Sequence, residues 1–405
     1  MFGRTFSHYL SYGATDQQTV RDLAGHYDGL LVPGTVAAFQ REGTGGFVLT
    51  LSATEAAPEY VIDPRFPLFQ QALPQAKKSH EELASVLGEP GLVSDAQPQP
   101  TDFDDTMIEE IAQHWVDFNL GYRSATSGKF DKYARRLNEP VTPSAAKDPL
   151  LILAPYACVS GIRDPWWDLS KRLYAATNTR SASAATVRVV STTSVEALAG
   201  CLDDVRDDQV AVWVSALEEL TSPERSLAAY LQAIATATDS GKELFALYGG
   251  FFSVLASAAG LVGACHGIGY GEYRNWIELP QSGPPPARYY LPQVHRYVSQ
   301  ELAYQLWLED RALAECDCAQ CEGQPPIALE YHSLMKHSVH CRSAEIDEWV
   351  GLAPAAMVAR LTDERTGFLR RLHRTDLSDY TIASGERSAA HLSVWEQALT
   401  EALVG

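Results

Sequence analysis

Three cysteines stand within six residues in the run Cys316-Asp-Cys-Ala-Gln-Cys321. Thiolates this close cannot easily pair with one another. They can converge on one tetrahedral ion, and zinc is the metal such a donor set suits. The next donors along the chain are His332, His337, His340 and Cys341, in a segment with helical pattern. A closed Cys3His set leaves no position for water, so the expected zinc is structural and clamps the loop to the helix. Cys158, Cys201 and Cys265 are scattered through apolar segments, as buried thiols are, and an odd total of seven cysteines argues against a disulfide framework.

Two further segments are denser in polar and glycine residues than a core requires: Leu247-Tyr-Gly-Gly-Phe-Phe252 and Cys265-His-Gly-Ile-Gly-Tyr-Gly-Glu-Tyr-Arg274. Each follows an apolar run. Paired glycines let a backbone approach a flat ligand closely, which makes Tyr248, Gly249, Gly250, Gly267, Gly269 and Tyr270 candidate substrate contacts. His266 and Glu272 have the types of an acid/base pair, and Arg274 suits a phosphate or carboxylate. The structural alternative is a core histidine and a Glu272–Arg274 ion pair. Asp63 ends an apolar run before Pro64 and is either a third catalytic residue or the cap of a turn. Tyr289 is a candidate for stacking on a base, Trp166 and Trp167 for a loop near the same site.

These residues need a scaffold. Apolar runs occur at 29–34, 60–64, 150–156, 187–192, 210–215, 244–248, 263–269 and 288–292. Segments of helical periodicity separate most of them, and Ser222-Pro-Glu224 reads as a helix start. Strands alternating with helices imply a parallel sheet, and about eight of them imply an α/β fold, a (β/α)8 TIM-like barrel. A doubly wound sheet would carry a glycine-rich phosphate turn after its first strand, and none is present. A further apolar run at 45–50 also reads as a strand. The expected layout is a barrel over 1–310 with a helical insertion at about 75–148, a zinc-binding subdomain at 311–350 and a C-terminal helical tail at 351–405.

The chain has 405 residues, 46% hydrophobic and 20% charged, with a net charge of −19. That balance excludes nucleic-acid binding through overall charge but leaves room for a local patch. The one concentrated candidate is Arg360, Arg365, Arg370, Arg371, His373 and Arg374, which otherwise reads as a solvated helix face. Met1 to Leu10 lacks the apolar core of a secretory leader, and no apolar stretch is long enough to span a bilayer. A cytoplasmic protein without membrane partners is expected.

The cysteine run, followed by a helix bearing His337-Ser-Val339, resembles the zinc subdomain inserted late in the barrel of tRNA-guanine transglycosylases, the queuine- and archaeosine-type enzymes. The resemblance implies Cys316, Cys318, Cys321 and His337 as the ligands, with His340 the second choice of histidine. Leu31-Val-Pro-Gly-Thr35 is similar to the family's first barrel strand. Tyr60-Val-Ile-Asp-Pro-Arg-Phe-Pro-Leu-Phe-Gln70 is similar to its Asp-Ser-Gly-Gly-Phe-Gln motif, which implies Asp63 as acid/base. Gly249-Gly250 corresponds to the strand end that receives the base. The implied activity is exchange of guanine or a 7-deazaguanine in tRNA or DNA. One departure stands out: Arg288 occupies the place of the family's nucleophilic aspartate, before Leu291-Pro292, so covalent attack lacks its carboxylate. The alternatives are a catalytically silent barrel serving as a partner-binding subunit or homodimer, and an unrelated barrel hydrolase using Asp63, Glu272 and His266.

Overall fold

The computed structural model describes residues 5–13, 17–125, 127–137, 140–181, 184–215, 217–269, 272–277 and 288–405. Among the described residues, nine strands form a parallel sheet: β1 (Ser7–Ser11), β2 (Gly29–Pro33), β3 (Glu59–Asp63), β4 (Ile152–Leu153), β5 (Cys158–Val159), β6 (Thr186–Thr192), β7 (Gln209–Val214), β8 (Glu243–Ala246) and β9 (Leu261–His266). Their order is β4-β3-β2-β1-β9-β8-β7-β6-β5, and β4 also pairs with β6. The row therefore closes as a (β/α)8 barrel. β4 and β5 fill one strand position between them: Ile152 and Leu153 pair with Thr186 and Val187, Cys158 and Val159 with Ser191 and Thr192. Pro155, which has no amide hydrogen to donate, lies in the gap.

Three expectations about the strands change. The first barrel strand is Ser7–Ser11, which carries only Tyr9 and Leu10 as large apolar residues. The apolar run at 45–50 is the inner part of a helix, Arg41–Ser52, whose residues from Thr44 to Ser52 are buried on all sides, so no helical period shows. The run at 288–292 is not a barrel strand. It forms β10 (Arg288–Leu291), antiparallel to β11 (Arg296–Ser299) in a separate hairpin turned by His295 at φ 51°.

The chain divides into two compact units, 9–216 with 275–280, and 1–8 with 217–274 and 281–405. In the first, the expected insertion is helical, with Lys78–Val86, Asp105–Gly121 and Ser127–Ala134. Its longest helix packs on Pro165–Arg180, and Arg172 and Arg180 bind Asp105 and Glu109 across the seam. Trp166 and Trp167 begin that second helix, whose N-terminus Asp164 caps; Trp167 is buried and donates its indole N–H to Asp204 at 2.8 Å.

The second unit holds β8, β9, the hairpin, and the helices Glu224–Asp239, Tyr331–Trp349, Pro354–Leu372 and Asp379–Leu399. The first of these starts one residue later than expected: Ser222 accepts from the Glu218 amide instead of capping the helix. Trp395 is buried and donates to the Glu219 carbonyl, tying the last long helix to the loop before Glu224. Among the described residues, no helix is long and apolar enough to cross a membrane.

Candidate metal centre and carboxylate site

The cysteine loop follows the short helical turn Arg311–Leu313. The Cys318 amide donates to Cys316 Sγ at 3.4 Å, and the Cys321 amide to the Cys318 carbonyl at 2.9 Å, so the loop curls and its thiols face one way. Cys316, Cys318, Cys321 and His337 bring their donor atoms within 4.8 Å of one another, a group that can hold a metal ion. The imidazole in it is His337; His340 lies outside this group and lines an adjacent cleft of about 640 Å³.

His337 is fully buried, and its Nε2 donates to the Tyr290 carbonyl at 2.6 Å. That bond turns Nδ1 to the sulfurs, at 3.2 Å from Cys321 and 3.5 Å from Cys318. A metal-binding histidine commonly gives its other N–H to a carbonyl or carboxylate in this way. The Tyr289 ring stacks on His337 with centroids 4.3 Å apart, and its hydroxyl donates to the Ala314 carbonyl. Tyr289 is 1% exposed, so it braces the metal ligand and has no free face for a base.

A second cluster lies in the same unit. Glu219 accepts from the amides of Gly250 and Phe252, at 2.8 and 3.0 Å, and from the Ser253 hydroxyl at 2.9 Å. Glu272 accepts from Arg342 at 2.8 Å. A methyl group at Gly250 would stand 2.7 Å from an oxygen of each carboxylate, so this position must be glycine for the two to share it. Burial pushes the Glu272 carboxyl up to about 7; Arg342 pulls against it and Glu219 adds to it. Glu219 is raised too, by burial, against the Gly250 amide and Ser253. Both line a cleft of about 280 Å³ with Tyr273, Arg288 and Arg296.

Arg342 is 3% exposed and also donates to Glu345 at 2.8 Å. Glu345 accepts from His295 Nδ1 and the Tyr290 hydroxyl, and His295 Nε2 reaches Glu364. Burial alone would lower the His295 pKa, but Glu345 and Glu364 raise it. The ring lies flat on Phe251, centroids 3.7 Å apart.

The other expected residues fall out as follows. His266 does not pair with Glu272. It is 1% exposed, lies edge-on to His8, and neither ring nitrogen completes a well-aligned hydrogen bond among the described residues, the Gly250 backbone being its close polar contact. Burial first, then Arg342, holds it well below its usual pKa, so it is neutral. Glu272 pairs with Arg342, and the Arg274 guanidinium, its partner in the structural alternative, sits over the Tyr248 ring. Gly249 donates its amide to the Cys265 carbonyl, joining the ends of β8 and β9. Gly267 is buried; Gly269 has φ 76° and Met335 packed against it. Tyr270 lies outside the described residues.

Asp63 belongs to the other unit. It is fully buried, accepts from the Tyr156 hydroxyl at 2.9 Å and the Arg65 amide at 3.0 Å, and so caps its own turn. In the C-terminal helices Arg360 pairs with Glu348 and Glu364, Arg365 with Glu396, Arg371 with Asp310 and His373 with Glu386. Much of the basic patch is thus neutralised by neighbouring carboxylates. Sequence reasoning missed Glu219, Arg342, Glu345 and Glu364. The available signal was Arg342 itself, a cation five residues past His337 on a helix otherwise assigned to metal binding.

Compared with models of known families and with curated proteins, the chain matches neither a family model nor a curated sequence. The class is a (β/α)8 barrel with a Cys3His cluster able to hold a metal.

Proposed function

We propose that this protein exchanges a nucleobase in tRNA or DNA by breaking and remaking its N-glycosidic bond, as the transglycosylases it resembles do. The observation that carries the reading is the carboxylate pair Glu219 and Glu272 at Gly249-Gly250, with Glu272 raised to about 7. A carboxyl that keeps its proton near neutrality is suited to protonate a leaving base and then to take a proton from the incoming one. Glu219, held by two amides and a hydroxyl, is the fixed second carboxylate that an anomeric centre needs, and it takes the part left open by Arg288. Gly249 and Gly250 let the base approach the backbone.

In the same reading the cysteine cluster is a structural zinc site. Its donors fit: three thiols, and an imidazole oriented by a carbonyl. Bound zinc would fasten the loop 316–321 to the helix Tyr331–Trp349, which also carries Arg342.

The test is exchange of labelled guanine into tRNA or DNA by the purified protein. Glu272→Gln and Glu219→Gln are each expected to abolish incorporation while leaving metal content unchanged. Incorporation undiminished in both variants would remove the carboxylate pair from the reaction. Asp63→Asn tests the acid/base position that the family resemblance implies.

A further inference from the structure

A fifth donor stands beside the four of the cluster, outside the set whose atoms all lie within 4.8 Å of one another. Cys341 lies one helical turn after His337, on the same face of Tyr331–Trp349, and is 5% exposed. Its Sγ is 3.7 Å from Cys316 Sγ and 3.5 Å from His337 Nδ1. With metal–sulfur bonds of about 2.3 Å, two thiolates on one tetrahedral zinc stand roughly 3.8 Å apart. Cys341 is therefore spaced from Cys316 as one zinc ligand is from another.

His337 is not the surplus donor. Its Nε2 must give a proton to the Tyr290 carbonyl, which can only accept, and this leaves Nδ1 directed at three sulfurs. Cys318 and Cys321 both border that nitrogen. Cys316 Sγ stands 3.7 Å from Cys341 Sγ, and the two line the same 640 Å³ cleft, with Cys318, from opposite elements, one a part-exposed loop and the other a buried helix face.

We propose that Cys316 and Cys341 are alternative donors for a single coordination position, with Cys318, Cys321 and His337 holding the other three. Whichever of the two thiols does not hold the ion would keep its proton, so the loop end at Cys316 would be free of a bound ion whenever Cys341 completes the site.

The inference rests on the metal reading of the cluster, and zinc content separates the two. Wild-type protein is expected to hold about one zinc per chain. Cys316→Ser and Cys341→Ser should each retain it, and the double variant should hold none. Iodoacetamide treatment of zinc-loaded wild-type protein, read by peptide mass, should label both Cys316 and Cys341 and spare Cys318 and Cys321. This second measurement needs no variant to fold. Loss of zinc from either single variant, retention by the double variant, or label confined to one of the two cysteines would overturn the exchange and leave the metal site standing. A wild-type protein without zinc would overturn both.

Discussion

Arg342 donates to Glu272 at 2.8 Å from the helix that also carries His337. The five-residue separation on one rigid element ties the metal centre to the carboxylate site, because whatever anchors His337 also sets where the Arg342 guanidinium stands. An ion held by His337 would therefore be coupled to Glu272 through one helix.

Removing Arg342 should be severe. Arg342→Met leaves Glu345 and Glu272 without their shared cation, and breaking a buried pair from one side costs about 3–5 kcal/mol. The expected result in urea unfolding is a loss in that range. A loss below about 1 kcal/mol would mean that water reaches these carboxylates freely.

The pH dependence has a definite sign. The Glu272 carboxyl is raised in the folded protein to about 7, so the folded state holds its proton more tightly than the unfolded chain does. This contribution to stability is complete below the ordinary glutamate pKa and is lost as pH rises through about 7. Glu272→Gln should flatten that part of the decline. Denaturant midpoints at pH 5 and pH 8, compared between wild type and variant, measure it; equal slopes would contradict the raised pKa.

Gly250→Ala separates placement from stability. The added methyl meets an oxygen of Glu219 and one of Glu272, both at the ends of side chains that can swing away. Stability should fall by less than about 2 kcal/mol. Guanine incorporation should fall at least tenfold, since neither carboxylate keeps its position. Full activity in this variant would show that the pair is not needed in that geometry.

His266→Leu tests a buried imidazole with poor hydrogen bonding. Neither ring nitrogen completes a well-aligned bond among the described residues, with only the Gly250 backbone close by, and an unsatisfied buried polar group costs roughly 1–3 kcal/mol. The variant should match or exceed wild-type thermal stability while losing activity if substrate supplies the missing partner. A clear drop in melting temperature would show that the imidazole is already satisfied in the free protein.

Chelation should act beyond the cluster. Stripping zinc at neutral pH is expected to lower the melting temperature and to change the near-UV signal of Tyr289 and Tyr290, which brace His337 through a ring face and a carbonyl. Cys318→Ser and Cys321→Ser should do the same. An unchanged signal after complete metal loss would mean that packing alone holds His337.

What the sequence determined by itself is local. Cys316, Cys318 and Cys321 fall within one tight turn, so their convergence follows from chain geometry over six residues and was legible without the fold. The strands β2–β4 and β6–β9 were legible because a barrel strand is buried along its length and reads as an apolar run, whereas the two-residue β5 was not. The same rule failed for residues 45–50 and 288–291, where a helix and a hairpin are buried just as thoroughly. The tertiary structure alone decided that Glu272 would meet Arg342, that Glu219 would meet Gly250, and that Cys341 would stand beside Cys316. These partners are 70, 31 and 25 residues apart, and no periodicity spans such distances. Their meeting depends on how whole elements pack, and their protonation depends on the burial that packing creates.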